Sequence, residues 1–385
     1  MPRIKVNENW YELIYLIDSG SFGKVYLVRK VSNHFGLTAQ ERSDPEQYYI
    51  LKHIVTYSQD ETDYTLSEIA TLEFFETKWG ADSPFYKILD YEINNGEFSS
   101  RNEFKILMEY VNGYNIKRLM ERGLLNEDVI KIIFAQLLAQ FQMLHENNIV
   151  HRDVKLENIL VEIDNESGEI NVEIIDFGVA CNRDQNYLYE YLENEPVIRV
   201  SQRCTKQRVG TPYTMAPEIS ALSHNKDKAL GAGLKISDLK ASDVWSLGIL
   251  LFIMVHGINP FKSSTGHKIS LEEALKIINH ELRKRQTVYN SIIRDILVPV
   301  EIRPTIMELI NKYGDFFSLK VSEIKVETDR HLSITSPVSV EPPTPISSPL
   351  LTYLHSSEGS PLAALASPLY DPETQQYLDT SEDEN

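Results

Sequence analysis

The sequence predicts an α+β chain of two lobes spanning residues 9–318: a small β-rich N-lobe over 9–110 and a larger helical C-lobe over 111–318, with a cleft between them. An acidic, disordered tail is expected over 321–385. Three observations carry this reading. Short alternating apolar runs crowd the first hundred positions, helical runs dominate after Asn126, and the charge pattern changes sharply past residue 320.

Taken in order, Tyr11, Leu13, Tyr15 and Ile17 alternate as a strand does, and residues 24–31 and 48–55 read as two more strands. A helix is expected over 65–77, then strands over 86–93 and 104–110 split by the turn signal Asn94-Asn95-Gly96. Residues 129–144 read as an amphipathic helix whose polar face carries Lys131, Gln136, Gln140 and Gln142. A strand pair is expected at 159–163 and 172–175, and the almost wholly apolar run 244–258 reads as a helix buried at the centre of the C-lobe. Neither apolar run reaches the roughly 18 to 20 apolar residues of a membrane span.

Composition narrows the function classes. The 385 residues hold 38 Lys and Arg against 56 Asp and Glu, a formal charge of −18, so binding driven by neutralising nucleic-acid phosphates is not expected. At 42 % hydrophobic and 24 % charged, the chain reads as globular, and a monomer is expected. A polar, charged opening and only two cysteines, Cys181 and Cys204, point to a cytoplasmic or nuclear protein without a membrane anchor. Both cysteines are expected as reduced thiols, a redox clip being the alternative. Half of the net charge, eleven acids against two bases, sits in residues 321–385, together with five Ser-Pro or Thr-Pro pairs.

The chemistry sits in a few short motifs. Asp18-Ser19-Gly20-Ser21-Phe22-Gly23-Lys24-Val25 joins two strands where glycines let a hairpin fold over phosphate oxygens. Lys52 stands in the apolar strand Tyr49-Ile50-Leu51-Lys52, where an unpaired ammonium is costly, and Glu68 on the next helix is its candidate partner. His151-Arg152-Asp153-Val154-Lys155-Leu156-Glu157-Asn158 follows the amphipathic helix, and Asp176-Phe177-Gly178 follows the strand ending in Ile174-Ile175. Asn158 and Asp176 offer hard oxygen donors suited to Mg²⁺, leaving Asp153 able to accept a hydroxyl proton.

With Gly210-Thr211-Pro212 through Ala216-Pro217-Glu218, Asp243-Val244-Trp245-Ser246-Leu247-Gly248 and Arg303-Pro304-Thr305, these motifs run in order over about residues 9–318. The chain here resembles the eukaryotic protein kinase family, serine/threonine branch, with a catalytic loop similar to calcium/calmodulin-type or nutrient-sensing kinases. The resemblance implies a two-lobed protein kinase fold and transfer of the γ-phosphate of Mg·ATP to Ser or Thr hydroxyls of protein substrates. It assigns Asp153 as catalytic base and Lys155 as the neutraliser of phosphoryl charge, Asn158 and Asp176 to the metal, and Lys52, braced by Glu68, to the α- and β-phosphates. Nucleotide contacts are expected from Ile17, Gly20, Ser21, Phe22, Gly23, Val25 and Leu160, with Met108 as gatekeeper and hinge backbone from Glu109 to Val111. Glu218 is expected to pair with Arg303, and Asp243 to brace the catalytic loop.

The pattern is broken where Asp18 replaces a glycine and Ile50 a small alanine, which keeps a pseudokinase scaffold as the alternative. Arg152 resembles the arginine that docks a phosphorylated activation segment, and since Gln207 occupies the usual phosphosite, Thr205 and Ser201 are the candidates. Glu157 suggests a preference for basic sites in substrates. The tail pairs read as acceptors for an upstream proline-directed kinase. Insertions at 34–47, 94–102 and 223–239 are expected as surface loops.

Overall fold

The computed structural model describes residues 2–20, 23–31, 48–95, 101–164, 167–182, 208–222 and 234–317. Ser21 and Phe22, most of the three insertions, Thr205, Ser201 and the tail lie outside the described residues.

The N-lobe is one antiparallel sheet of six strands in the order β1-β2-β3-β4-β6-β5: β1 (Arg3–Val6), β2 (Asn9–Gly20), β3 (Gly23–Lys30), β4 (Tyr48–Thr56), β5 (Ile88–Asn95) and β6 (Asn102–Glu109). Strand β1 escaped the sequence reading because Arg3, Lys5 and Asn7 mask its short alternation. It pairs with β2, and the Asn7 side chain reaches Asp90 Oδ1 at 2.6 Å, which curls the sheet back toward β5. The curl encloses a small core of Val6, Tyr11, Val28, Leu51 and Leu107. Asn94 and Asn95, expected in a turn, pair with Glu103 and Asn102 as strand residues.

Helix α1 (Gln59–Trp79) starts six residues before the expected position. Its first turn is polar and carries no apolar period, yet Ser58 and Glu61 form a capping box that marks the true start. The helix buries Ile69, Leu72 and Phe75 against the sheet and the C-lobe.

The C-lobe holds α2 (Ile116–Glu121), α3 (Glu127–Glu146), α4 (Pro217–Ser220), α5 (Ile236–His256), α6 (Leu271–Lys284), α7 (Asn290–Ile296) and α8 (Ile306–Phe317). Three short ladders complete it: β9 (Ile159–Ile163) lies between β7 (Tyr114–Asn115) and β10 (Ile170–Ile174), and β8 (Ile149–Val150) pairs with β11 (Cys181–Asn182). Helix α5 is long and apolar enough to cross a membrane by length and composition, but most of that stretch is buried inside the lobe.

Two expectations change here. Gln136 and Gln140 do not face solvent: Gln140 Nε2 donates to Val172 O at 2.6 Å and Gln136 bonds both Ile170 O and Val172 N, fastening α3 to β10. The strand backbone satisfies both ends of the Gln136 amide and the Gln140 N–H group, while Gln140 Oε1 is buried without a partner among the described residues. Cys181 is buried and disulfide-bonded, against the expectation of a reduced thiol; Cys204, the other cysteine of the sequence, lies outside the described residues.

Candidate active site

Strand β4 and helix α1 bring the first pair together. Lys52 Nζ lies 2.7 and 2.8 Å from the two Glu68 oxygens and 3.3 Å from Asp176 Oδ1, with Lys52 5 % and Glu68 3 % exposed. Burial alone would pull the ammonium down, but Glu68 and Asp176 outweigh it and hold its pKa above the ordinary lysine value. Burial likewise pushes on Asp176, and the charges of Lys52, Lys155 and His151 overcome it, so this carboxyl stays below its usual range. The ion set predicted from one lysine in an apolar strand is therefore present, with Asp176 as its third member.

The catalytic loop is held from two sides. Asp243, 1 % exposed on α5, accepts the backbone N–H groups of His151 and Arg152, both at 2.9 Å, and its Oδ2 lies 3.1 Å from His145 Nε2. These bonds fix Arg152 in the left-handed region at φ 69°, where a side chain rarely goes, and so aim the following residue. Asp153 is 6 % exposed and its carboxylate is fully engaged: Oδ2 accepts Lys155 Nζ at 2.7 Å and Asn158 Nδ2 at 3.2 Å, while Oδ1 accepts Thr211 N at 2.8 Å and Thr211 Oγ1 at 2.7 Å. Lys155 is raised because Asp153 and Asp176 outweigh the burial that would lower it. Gly210 makes the Thr211 contact possible: at φ 105° a Cβ there would meet Arg152 O at 2.3 Å.

Asn158 spends its N–H groups on Asp153 O and Oδ2, and its backbone carbonyl accepts Ile175 N at 2.9 Å, which brings the catalytic loop beside Asp176. Among the described residues its side-chain oxygen accepts no hydrogen bond. One amide oxygen and one carboxylate are the few, hard donors that Mg²⁺ accepts when phosphate and water complete its shell. No group of three His, Cys, Asp or Glu side chains forms a metal cage among the described residues.

The residues expected to touch a nucleotide are spread over both lobes. Val25 pairs with Lys52 across β3 and β4, Ile50 with the buried gatekeeper Met108, and Leu160 with Glu173 on the floor. Ile17 is half-exposed over the cleft, Glu109 ends β6, and Val111 follows it. Gly20 and Gly23 face each other at the ends of β2 and β3. A Cβ at Gly23, φ 90°, would lie 2.3 Å from His53 O, so close packing against β4 already demands glycine there. Asp18 pairs with Val25 and turns its carboxylate onto its neighbour's N–H, Ser19 N at 2.7 Å.

Glu218 binds Arg303 at 2.5 Å inside the C-lobe, and Arg303 also covers the Trp245 ring at 4.9 Å. The sequence reading missed a polar and aromatic column behind the site. Phe177 packs on His151 at 5.0 Å, Phe75 at 5.1 Å and Phe85 at 5.8 Å, and Tyr86 sets its buried hydroxyl at the Asp176 backbone. The aromatic run Phe74-Phe75 on α1 and Phe85-Tyr86 was visible, but only the turn between α1 and β5 brings it onto Phe177. Glu173 is also new: burial, then Glu109 and Glu162, push its carboxyl up to about 8.

Comparison with known proteins matches the protein kinase domain family over residues 11–313. Among relatives, the chain is 29 % identical over 283 residues to serine/threonine-protein kinase AtPK2/AtPK19 of Arabidopsis thaliana, covering 71 % of this chain and 49 % of that protein. It is 30 % identical over 257 residues to AtPK1/AtPK6 of the same plant, covering 66 % and 44 %. Serine/threonine-protein kinase sid1 of Schizosaccharomyces pombe is 31 % identical over 255 residues, covering 66 % and 43 %. The chain thus spans about half or less of the length of these relatives.

Proposed function

Because this chain belongs to the protein kinase family, we propose that it is an ATP-dependent serine/threonine kinase acting on protein substrates, with Asp153 as the catalytic base. The observation that carries the reading is the single hydrogen-bonded set Asp153, Lys155, Asn158 and Thr211, joined through the Asn158–Ile175 bond to Asp176 and Lys52. A scaffold without chemistry has no use for four charged groups held this close in a desolvated cleft, and no observation favours that reading.

In this proposal Asp153 orients the acceptor hydroxyl and takes its proton, while Lys155 offsets the charge that develops on the moving phosphoryl group. Lys52 positions the nucleotide phosphates, and Glu68 holds Lys52 in place. Asn158 and Asp176 would hold Mg²⁺, which when bound supplies positive charge to the phosphate oxygens. Thr211 fixes the Asp153 oxygen that does not face Lys155, and its place in residues 210–218, the substrate-docking segment of the resemblance, favours aliphatic rather than phenolic hydroxyls. The arrangement of both lobes around these groups works mainly by positioning and electrostatics.

Beyond the chemistry, the Ser-Pro and Thr-Pro pairs of the tail are proposed as acceptors for a proline-directed kinase, and a cytoplasmic or nuclear monomer remains the expected form. The test is transfer of radiolabelled γ-phosphate from Mg·ATP to a generic Ser/Thr protein substrate. Asp153→Asn is expected to lower transfer by about 10³-fold, with circular dichroism confirming that the variant is folded. Equal transfer by wild type and variant would remove Asp153 from its role.

A further inference from the structure

Two arginines of the C-lobe carry charge that no carboxylate among the described residues answers. Tyr114 on β7 offers one ring to both: the guanidinium of Arg118 in α2 lies 5.4 Å from its centroid, and that of Arg122, just past the helix end, lies 4.5 Å from it. Arg122 Nη1 also donates to the Tyr114 hydroxyl at 3.3 Å. Sharing one ring, the two like charges stand within about 10 Å of each other, as side chains four apart on a helix do. Both are exposed, and among the described residues neither makes an ion pair. Lys117 beside them is already taken, with Glu157 3.3 Å from its Nζ, while Glu121, the acid of α2, is exposed and pairs with neither arginine. Stacking on an aromatic face holds the two planar forks in place before any ligand arrives.

The acidic end of the same chain is within reach. Helix α8 ends at Phe317, whose ring packs on Phe134 of α3 at 5.6 Å, and Lys131 of α3 lies 4.8 Å over the neighbouring Phe316 ring. Tyr289, 5.8 Å from Phe316, donates its hydroxyl to Glu127 O at 2.5 Å. The end of α8 thus sits against the first turns of α3, and only residues 122–126 separate α3 from α2. That short link and one helical turn place Phe316 within about 35 Å of Arg122. Past Phe317 the sequence runs 68 residues further, and residues 371–385 hold six acids with no Lys or Arg. About sixty residues of flexible linker have an r.m.s. reach of roughly 40–45 Å, enough to close that distance.

We propose that Arg118 and Arg122, braced on Tyr114, form a docking site for residues 371–385 of this chain, whose carboxylates bind across the two guanidiniums. An anion between two like charges relieves their repulsion, and carboxylates match the planar arginine fork. The tether supplies a local concentration that a free acidic peptide lacks. The site lies at the mouth of the cleft: Tyr114 and Asn115 pair with Val161 and Leu160, and the Lys117–Glu157 pair joins α2 to the catalytic loop. This docking goes beyond the phosphoryl-transfer reading and does not rest on it.

The test is photo-crosslinking in the full chain carrying Glu121→p-benzoylphenylalanine, a position that neighbours both arginines. Irradiation is expected to join it to residues 371–385 of the same molecule, at a yield that dilution does not change. Arg118→Glu with Arg122→Glu should lower that yield about tenfold. The set Asp379→Asn, Glu382→Gln, Asp383→Asn and Glu384→Gln leaves α2 untouched and should do the same. Turning those four acids to Lys in the background of the two reversed arginines should restore the crosslink. Crosslinks formed only between two copies would make a second chain the occupant and overturn the proposal. So would a yield indifferent to both sets of variants, or no crosslink to the tail. The readout needs no phosphate transfer, so an inactive chain that still crosslinks keeps the docking and sinks the catalytic reading, while an active chain without the crosslink does the reverse.

Discussion

Lys52 and Arg152 are both buried cations beside the cleft, and the protein treats them in opposite ways. Lys52 meets two carboxylates within 3.3 Å and is held more strongly charged than a free lysine. Arg152 keeps its guanidinium buried with neither Nη1 nor Nη2 hydrogen-bonded among the described residues, and burial lowers it. A buried ion that is paired is a finished structure, while one that is unpaired is a standing cost retained for something that arrives later. Arg152 fits the docking of a phosphate on the activation segment, which the sequence resemblance implied.

The sharpest way to break this contrast is at Lys52. Lys52→Met is expected to cut phosphoryl transfer by about 100-fold and to destabilise the fold by about 3–5 kcal/mol, because Glu68 is left buried and uncompensated. Adding Glu68→Leu should return much of that stability without returning activity, measured by urea unfolding beside a transfer assay. A double variant no more stable than the single one would show that the pair is not the cause.

Arg152→Met should move stability the other way. Removing a buried guanidinium whose Nη1 and Nη2 have no hydrogen-bond partner among the described residues is expected to leave the unphosphorylated protein unchanged or about 1–2 kcal/mol more stable. Loss of stability comparable to that of Lys52→Met would erase the distinction between the two cations.

A last test concerns Glu173, a half-buried acid among acids. With its folded pKa pushed up to about 8, the folded chain keeps a proton that the unfolded chain releases in the ordinary carboxylate range, so stability falls as pH rises from that range to about 8. Glu173→Gln removes this loss. Its melting temperature should match wild type near pH 4 and exceed it by a few degrees near pH 8. Parallel curves for the two proteins would place Glu173 outside the acidic cluster.

Much of the site was legible because phosphoryl transfer needs particular groups in short motifs, each set by local spacing. Lys52 announced a partner because an ammonium in an apolar strand cannot stand alone, and Glu68 supplied it. The glutamines of α3 misled because helical period cannot tell solvent from a neighbouring strand's backbone, and here β10 takes their hydrogen bonds. Strand β1 was hidden because alternation over four residues between charges is too short a signal. The neighbour of Glu157 was hidden for a related reason: Lys117 lies 40 positions away in sequence and 3.3 Å away in space.

The sequence by itself determined the two-lobed class, the order of the motifs and which groups are proposed to react, since these follow from local periodicity and from the few side chains able to do the chemistry. Tertiary structure alone decided who neutralises whom. The Asp243 clamp on the catalytic loop, the Phe177 column with Tyr86 and the Lys52–Glu68 pair all join residues distant in the chain. Charge and packing act through space over a few ångströms, and only the folded chain sets those distances.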